Sequence, residues 1–263
     1  MIYVMSDIHG CYDEFIKMLE KIDFKDEDTL YILGDVIDRG PKPLKILDYV
    51  IEHPNIKMLL GNHEHLLLKY FKTMKNKVKG FINKINWIYI YSGGFVTLNQ
   101  LETLSLEQQE KYINFLDNLS LYQKININNE NYILVHAGLR PYKKNILKKQ
   151  KKKNLLYIRS KFLLSTYNLP FIVIFGHTRI QRIYENYMKK NKQNDFVFKN
   201  YYVYLFEKIM NIKKKYSTKD INVKILKLPN KIAIDCGCYG GGKLACLRLD
   251  DMKEFYVENK IIK

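Results

Sequence analysis

The feature that most constrains the fold is a strand, loop and helix pattern that occurs three times in succession near the N-terminus. Short apolar runs at residues 2–5, 29–33 and 55–60 have the length and composition of buried strands. A polar loop follows each run, and apolar residues then recur at helical spacing, as Phe15 and Met18 do after the first. Three consecutive βα units predict a parallel, layered sheet and therefore an α/β fold.

Further apolar runs extend this pattern towards the C-terminus. Residues 132–135 and 171–175 predict a fourth and a fifth strand, each followed by another polar loop. Residues 231–234 and 244–249 predict two closing strands. The glycine-rich turn at 240–242 lies between these two runs and indicates that they form an antiparallel pair.

Between the third and fourth strands the sequence predicts helices. Ser105 and Gln108 have the spacing of a capping box in front of an apolar stripe over 112–119. A helix over 66–74 is expected after the third strand. Pro41 is a suitable opening residue for the helix that follows the second strand.

Composition restricts the class of protein further. The chain has 263 residues and is 47% hydrophobic, which is enough for a substantial core. Its apolar runs are much shorter than the ~20 residues of a membrane span, so we expect a cytoplasmic protein without a membrane partner. The four cysteines show no paired zinc-type spacing, and reduced thiols are expected.

Positive charge exceeds negative charge by a wide margin. Lys and Arg number 44 against 27 for Asp and Glu, which gives a formal net charge of +17. Anionic partners such as nucleotides, phosphoproteins or RNA would explain this excess. Biased codon usage explains it equally well, because the chain is also rich in Asn, Ile and Tyr. Lysines are concentrated at 143–153, which predicts a solvated loop or helix face, and lysines and aromatic residues are mixed at 185–224.

The polar loops contain residues that bind metals. The five successive strands end in side chains suited to that purpose, namely Asp7 and His9, Asp35, Asn62, His136 and His177. The carboxyl ends of strands in an open α/β sheet share one crevice, so these side chains can converge. Imidazole, carboxylate and amide ligands without thiolate favour Mn, Fe or Zn. Such sites commonly hold two ions, bridged by a shared carboxylate.

The loop after the second strand is the most informative of these segments. In Gly34-Asp35-Val36-Ile37-Asp38-Arg39-Gly40-Pro41, the spacing of Asp35 and Asp38 can send one carboxylate to a metal and leave the other to orient a neighbour. Arg39 adds a planar fork for an anion. The alternative is that Asp and Gly serve only the strand-to-helix turn, where they are common.

Five sequence blocks together resemble a known family. Ser-Asp-Ile-His-Gly, Gly-Asp-Val-Ile-Asp-Arg-Gly, Gly-Asn-His-Glu, Val-His-Ala-Gly and Gly-His-Thr occur in this order between residues 6 and 178. They resemble the signatures of the phosphoprotein phosphatase family of metallophosphoesterases. The bacterial and phage branch, which includes symmetrical diadenosine-tetraphosphate hydrolases, is the most similar, and Ile234-Asp235-Cys236-Gly237 also resembles it. The resemblance implies mixed β-sheets sandwiched by helices in a single calcineurin-like domain over 1–263, with an insertion at about 185–224.

The resemblance also implies roles for individual residues. It assigns Asp7, His9 and Asp35 to one metal ion, and Asp35, Asn62, His136 and His177 to the other. His63 matches the general acid, and Asp38 matches the carboxylate that holds the His63 ring. Arg39 and Arg159 match phosphate-binding arginines, although Tyr157 replaces a usual tryptophan near Arg159. Arg179 departs from the family pattern, where proline is common, and adds a cation near the site.

Three functions follow as alternatives. The leading one is a serine/threonine phosphoprotein phosphatase that uses two divalent ions, preferably Mn, and attack by a metal-bridged hydroxide on a phosphate monoester. The second is hydrolysis of dinucleoside polyphosphates such as diadenosine tetraphosphate on the same scaffold. The third is RNA-end processing that uses the lysine-rich segments. For the 185–224 insertion we expect a substrate-selecting flap rather than a nucleic-acid site.

Overall fold

Two five-stranded sheets form the centre of the protein. The computed structural model describes residues 1–88, 93–141, 146–166, 168–183 and 223–259. The strands are β1 (Ile2–Met5), β2 (Thr29–Ile32), β3 (Ile56–Met58), β4 (Tyr122–Ile127), β5 (Glu130–Val135), β6 (Ile172–Phe175), β7 (Leu226–Leu228), β8 (Lys231–Ala233), β9 (Lys243–Arg248) and β10 (Glu254–Glu258). The helices are α1 (Tyr12–Lys21), α2 (Pro43–Glu52), α3 (Asn62–Thr73), α4 (Lys77–Ile85), α5 (Phe95–Glu102), α6 (Leu106–Asp117), α7 (Lys152–Tyr157) and α8 (Ser160–Leu163).

The first sheet confirms the three predicted βα units. Its strand order is β10-β9-β1-β2-β3, and β1, β2 and β3 are parallel. Two helix starts differ from the prediction. Pro43, not Pro41, is the first residue of α2. Helix α3 begins at Asn62 rather than at 66. The Glu64 side chain accepts a hydrogen bond from the N–H of Gly61, the N-cap residue, and so caps the helix inside the Gly-Asn-His-Glu block.

The second sheet is mixed and corrects the predicted pairing of the closing strands. Its order is β4-β5-β6-β8-β7, with β5, β6 and β8 parallel. Strand β9 lies in the first sheet, antiparallel to β1 and β10. The predicted hairpin of β8 and β9 is therefore wrong. Nine residues separate the two strands. Strand β8 pairs with β6, and strand β9 pairs with β1, instead of with each other. The segment 234–242 crosses from one sheet to the other.

Burial shows how the layers are arranged. Val4 and Leu33 of the first sheet belong to the same buried cluster as Leu134 and Ile174 of the second, so the two sheets pack face to face. A separate cluster joins the first sheet to the helices that cover it, with buried side chains from α1, α2, α3, α5 and α6. Phe162 of α8 packs with the second sheet. The observed fold is therefore the expected layered α/β architecture with mixed sheets and flanking helices.

Some predicted features are only partly described. The capping box of Ser105 and Gln108 is confirmed at the start of α6. The insertion predicted at 185–224 lies outside the described residues except for 223 and 224. The lysine cluster is described from residue 146 onward, and its lysines there are exposed, as predicted. All four cysteines are buried free thiols. Within the described ranges, no helix has the length and apolar character needed to cross a membrane.

Candidate active site

The ten residues singled out in the sequence are brought together where the two sheets meet. Eight of them line one cavity of about 330 Å³: Asp7, His9, Asp35, Arg39, Asn62, His63, Arg159 and His177. Asp38 and His136 lie behind this layer. Asp38 is hydrogen-bonded to His63, and Nε2 of His136 lies 2.9 Å from the Asn62 amide oxygen. The convergence of strand ends is confirmed, although the ends come from two sheets rather than from one.

Backbone hydrogen bonds hold the first two loops against each other. The N–H groups of Asp7 and His9 donate to the carbonyls of Gly34 and Asp35, at 3.2 and 3.0 Å. The N–H of Gly40 donates in return to the His9 carbonyl at 2.9 Å. A β-carbon at residue 40 would lie 2.2 Å from the same oxygen, so this position requires glycine.

Several residues of the site have strained backbone conformations. Positive φ angles between 49° and 69° occur at six of its non-glycine residues, namely Asp7, His9, Asp35, Asp38, Arg39 and His177. Such conformations cost energy and persist where the surroundings enforce them, typically at functional sites. Buried Glu64 supplies part of that enforcement, because its carboxylate accepts from the N–H groups of Asp35 and Val36, both at 2.9 Å. The sequence analysis assigned no role to Glu64 beyond its motif.

The first group of possible metal ligands contains His9 and Asp35. Nδ1 of His9 lies 3.0 Å from the Ile37 carbonyl, so this nitrogen carries the proton and Nε2 keeps its lone pair for a ligand. Nε2 of His9 lies 4.0 Å from Oδ1 of Asp7 and 3.9 Å from Oδ2 of Asp35. These three side chains are all buried, and the ligand atoms of His9, Asp35 and His63 lie within 4.8 Å of one another.

The second group contains Asp35, Asn62, His136 and His177. Nδ1 of His136 donates to the Leu33 carbonyl at 2.8 Å, which again leaves Nε2 free to bind a metal. This nitrogen lies 3.5 Å from Oδ2 of Asp35 and 3.2 Å from Nδ1 of His177. Oδ2 of Asp35 therefore reaches both groups, which is the position of a bridging ligand.

The orientation of Asn62 tests whether these residues suit a cation. Its amide oxygen faces the cluster and lies 2.9 Å from Nε2 of His136, so only acceptors meet there. In the absence of a cation the reversed amide would be better satisfied, because its NH₂ group could donate to Asp35, His136 and His177. An acceptor-only cluster of neutral nitrogens and oxygens fits a bound metal ion.

The electrostatics of the cluster point the same way. Burial lowers the pKa of His9, His136 and His177, which keeps the imidazoles neutral and able to bind a metal. Burial raises the pKa of Asp35 well above its usual range, and the charges of Asp7 and Glu64 raise it further. A divalent ion among these carboxylates would offset that cost.

His63 and Asp38 form a buried pair beside the metal cluster. Nδ1 of His63 lies 2.8 Å from Oδ2 of Asp38, and Nε2 lies 3.7 Å from Oδ2 of Asp35. Asp38 also accepts from Trp87 Nε1 at 2.9 Å and from Thr97 Oγ1 at 2.6 Å. Trp87 and Thr97 were missed in the sequence because no motif marks them.

Two arginines approach the cluster from different sides. The Arg39 fork reaches His9 and His63, with Nη1 and Nη2 each 3.0 Å from an Nε2 atom. Nη1 of Arg159 donates to the His177 carbonyl at 2.9 Å and to Thr178 Oγ1 at 3.0 Å. The structure therefore places both predicted phosphate-binding arginines on the wall of the cavity.

The cavity also contains residues to which the sequence analysis gave no role. Arg182, Asp235, Cys238, Tyr239 and the already noted Arg179 line it. Asp235 lies two residues after the end of β8, so it marks a sixth strand end with a polar side chain, and this position was a signal that could have identified it. Burial raises the pKa of Asp235 well above its usual range, with a further contribution from Asp7.

Together, the layered sheets and the acceptor-only cluster at their junction define a metal-dependent phosphoesterase fold and site. The family model for calcineurin-like phosphoesterases matches residues 1–205. The chain belongs to the calcineurin-like phosphoesterase family of phosphoester hydrolases, and its site contains two groups of side chains that could each hold a metal ion.

Proteins with curated names extend the comparison over the whole chain. A protein of Wigglesworthia glossinidia brevipalpis is 30% identical over 98% of this chain and 99% of its own length. A protein of Buchnera aphidicola subsp. Baizongia pistaciae is 27% identical over 99% of both chains. Both are named symmetrical bis(5'-nucleosyl)-tetraphosphatase.

Solved structures agree with the fold. A crystal structure described as that of a proposed diadenosine tetraphosphatase has a TM-score of 0.61 at 18% identity, over 99% of this chain and 94% of that chain. A metallophosphoesterase from Sphaerobacter thermophilus has a TM-score of 0.50 at 16% identity, over 98% of this chain and 87% of that one. At these identities the likeness concerns the fold alone.

Proposed function

We propose that this chain hydrolyses dinucleoside tetraphosphates by cleaving a phosphoanhydride bond at the metal cluster. The main support for this substrate is the similarity to relatives named symmetrical tetraphosphatases, because the alignment covers almost the whole length of both chains. The sequence blocks alone favour a phosphoprotein substrate, so the comparison reverses the order of the two substrates. The catalytic core described below would serve both.

The proposed metal ligands follow the two groups. One ion is held by Asp7, His9 and Asp35, and the other by Asp35, Asn62, His136 and His177. When bound, two divalent ions supply a hydroxide nucleophile at neutral pH and stabilise charge on the phosphoryl oxygens. The nitrogen and oxygen donors favour Mn as the proposed ion, with Fe or Zn as alternatives.

His63 is proposed to protonate the leaving oxygen. Burial lowers the pKa of His63 well below its usual value, and the charge of Arg39 lowers it further. This direction opposes the acid role in the free protein. A phosphate group bound by Arg39 brings negative charge beside the ring, which raises the pKa of His63 when substrate is present. The buried Asp38 then stabilises the protonated imidazole.

Arg39 and Arg159 are proposed to bind the phosphate that reacts. Guanidinium groups bind phosphate through paired, charge-assisted hydrogen bonds, which fix its orientation as well as its position. The bond from Arg159 to the His177 carbonyl connects this phosphate-binding residue directly to a proposed metal-ligand residue. A phosphate bound by Arg159 would therefore lie close to the residues that would hold the second ion.

The test compares substrates and products with Mn²⁺ present. Diadenosine tetraphosphate is incubated with the protein, nucleotides are separated by chromatography, and phosphate release from a phosphoserine peptide is measured in parallel. Two ADP molecules from each tetraphosphate are expected, whereas ATP with AMP would indicate cleavage at another bond. Asp35→Asn in both assays controls for contaminating enzymes. A kcat/KM for the phosphopeptide that exceeds that for the dinucleotide would overturn the proposed substrate.

A further inference from the structure

The cavity extends beyond the residues that hold and cleave one phosphate. Its volume of about 330 Å³ falls within the usual range of small-ligand pockets, about 300–1,000 Å³, and is larger than one phosphate group requires. The far wall is formed by Arg179, Arg182 and the turn Gly237–Gly240. Neither arginine has a role in the proposed chemistry.

Arg179 and Arg182 are held on this wall by their backbone. The N–H of Arg182 donates to the Arg179 carbonyl at 2.9 Å, so both lie on one turn that directly follows His177 and Thr178. Two bonds fasten that turn to the segment that crosses between the sheets. Ile180 N donates to the Asp235 carbonyl, and Gln181 Nε2 donates to the Cys236 carbonyl, both at 3.0 Å.

The turn at 237–240 fits closely around the Arg179 side chain. A β-carbon on Gly240 would lie 2.7 Å from Nη1 of Arg179, and one on Gly237 would lie 3.3 Å from its Cδ. Tyr239 lies between these glycines, lines the same cavity and is 40% exposed. The same wall therefore contains both a guanidinium group and an aromatic side chain.

Arginine side chains outnumber carboxyl groups on the walls of this cavity. Four guanidinium groups line the cavity, from Arg39, Arg159, Arg179 and Arg182, against the three carboxyl groups of Asp7, Asp35 and Asp235. The proposed divalent ions add further positive charge. The four guanidinium groups line the same cavity and carry like charge, so they repel one another. A ligand with several phosphates relieves that repulsion.

We propose that Arg179, Arg182 and Tyr239 form a subsite for a nucleoside polyphosphate, occupied by the part of the ligand beyond the reacting phosphate. The two arginines bind the neighbouring phosphates, and Tyr239 stacks on the nucleobase. The position of the reacting phosphate rests on the proposed function. The subsite itself would bind a polyphosphate whichever bond the enzyme cleaves.

The phosphate part is tested with inhibitors of nitrophenyl phosphate hydrolysis in excess Mn²⁺. Inhibition constants for orthophosphate and inorganic tripolyphosphate are compared among wild type, Arg179→Ala, Arg182→Ala and the double variant. Arg140→Ala is the matched control, since this arginine is exposed and does not line the cavity. Tripolyphosphate should inhibit wild type more strongly than orthophosphate does, and that advantage should fall about tenfold in the double variant. Metal chelation by tripolyphosphate affects every variant alike.

An unchanged ratio of the two inhibition constants in the double variant would overturn the phosphate subsite, and so would an equal fall of the ratio in Arg140→Ala. Because the ratio is measured with nitrophenyl phosphate, it remains interpretable if diadenosine tetraphosphate is not cleaved. That result would reject the proposed function and leave the subsite standing. Calorimetric titration of tripolyphosphate into the metal-loaded protein gives a second readout, in which the double variant should bind more weakly.

The nucleobase part is tested with Tyr239→Ala and Tyr239→Phe. ADP and pyrophosphate are compared as inhibitors, so that the phosphates are matched and the nucleoside differs. Tyr239→Ala should weaken inhibition by ADP about fivefold or more relative to inhibition by pyrophosphate. Tyr239→Phe keeps the aromatic ring and should be inhibited by ADP as strongly as wild type. Equal inhibition by ADP and pyrophosphate in wild type would show that the subsite accepts inorganic polyphosphate instead and would reject the nucleoside assignment.

Discussion

Nδ1 of His63 and Oδ2 of Asp38 are 2.8 Å apart, and both side chains are almost completely buried. Trp87 and Thr97 bind the same carboxylate, so Asp38 cannot move away from the imidazole without leaving two donors unpaired. The pair is therefore preorganised, and His63 Nε2 is the ring nitrogen left to act on a substrate.

Removing the imidazole should reveal its role through the leaving group. His63→Asn should lower kcat for a phosphoserine peptide by roughly 10²–10⁴-fold, the usual contribution of a positioned acid. The loss should be smaller for nitrophenyl phosphate and for diadenosine tetraphosphate, whose leaving groups need less protonation. Steady-state kinetics on the three substrates provide the measurement. His53→Asn, outside the cavity, is the control, and equal losses on all substrates would contradict the acid role.

Asp35→Asn should separate metal binding from folding. Because Oδ2 of Asp35 faces both ligand groups, its replacement should reduce the bound metal and abolish nearly all turnover. Elemental analysis of purified protein measures the metal, and circular dichroism checks the fold. Asp13→Asn, an exposed acid paired with Lys42, should retain the wild-type metal content. Full activity of wild type after dialysis against a chelator would contradict a metal-dependent reaction.

Arg159→Ala should weaken substrate binding. A hydrogen bond to a charged group contributes about 1.5–3 kcal/mol, which corresponds to a rise in KM of roughly ten- to hundredfold for each substrate. Arg159→Lys should recover part of this loss, because the charge returns without the planar fork. Kinetics on nitrophenyl phosphate suffice as the measurement. If KM is unchanged, Arg159 does not bind the reacting phosphate.

The strand ends show how far the sequence could predict this site. Each apolar run is a local signal, and the carboxyl ends of parallel strands must lie at one edge, so the convergence of Asp7, Asp35 and Asn62 followed from local patterns alone. His136 and His177 also lie beside these residues, as the convergence of strand ends predicts, although their strands lie in the second sheet. The side chains meet because the parallel strands of both sheets have their carboxyl ends at the same junction.

Non-local contacts account for what the sequence could not predict. The pairing of β9 with β1 joins residues more than 200 positions apart, and the local glycine-rich turn suggested a hairpin instead. Strands β4, β7 and β10 have partly exposed residues and weaker apolar patterns, so they were missed. The contacts of Trp87 and Thr97 with Asp38 depend on how α5 and the residues after α4 pack, which no motif encodes.

His65 should contribute to the loss of stability in acid. Burial lowers its pKa from 6.5 to about 4, and the charge of Lys152 adds to the effect. The unfolded chain therefore binds more protons than the folded one between pH 6.5 and 4, so stability falls as the pH falls through this range. The contribution is below about 1.4 kcal/mol per pH unit, since the ring is partly exposed. Urea unfolding of wild type and His65→Gln across this range measures it, and identical slopes would contradict the prediction.

Lys231 should matter for stability rather than for turnover. Its buried Nζ donates to the carbonyls of Phe162 at 2.8 Å and Ser165 at 2.5 Å, which closes the end of α8. Lys231→Met removes this buried donor from both carbonyls and should cost about 1–3 kcal/mol of unfolding free energy. Lys227→Met on the neighbouring strand removes an exposed lysine and should cost less than about 0.5 kcal/mol. Equal losses in the two variants would contradict the buried role.

The position of β1 between β2 and β9 has a consequence for protein synthesis. Strand β1 leaves the ribosome well before the strand that covers its second edge, because about 240 residues separate it from its partners in residues 243–248. An apolar strand edge thus stays open while the intervening residues are made, which exposes the nascent chain to pairing with other chains and makes it a substrate for chaperones. The candidate active site shares this delay, because the crossing segment at 234–242 forms one of its walls, and we expect activity only after this segment has been made.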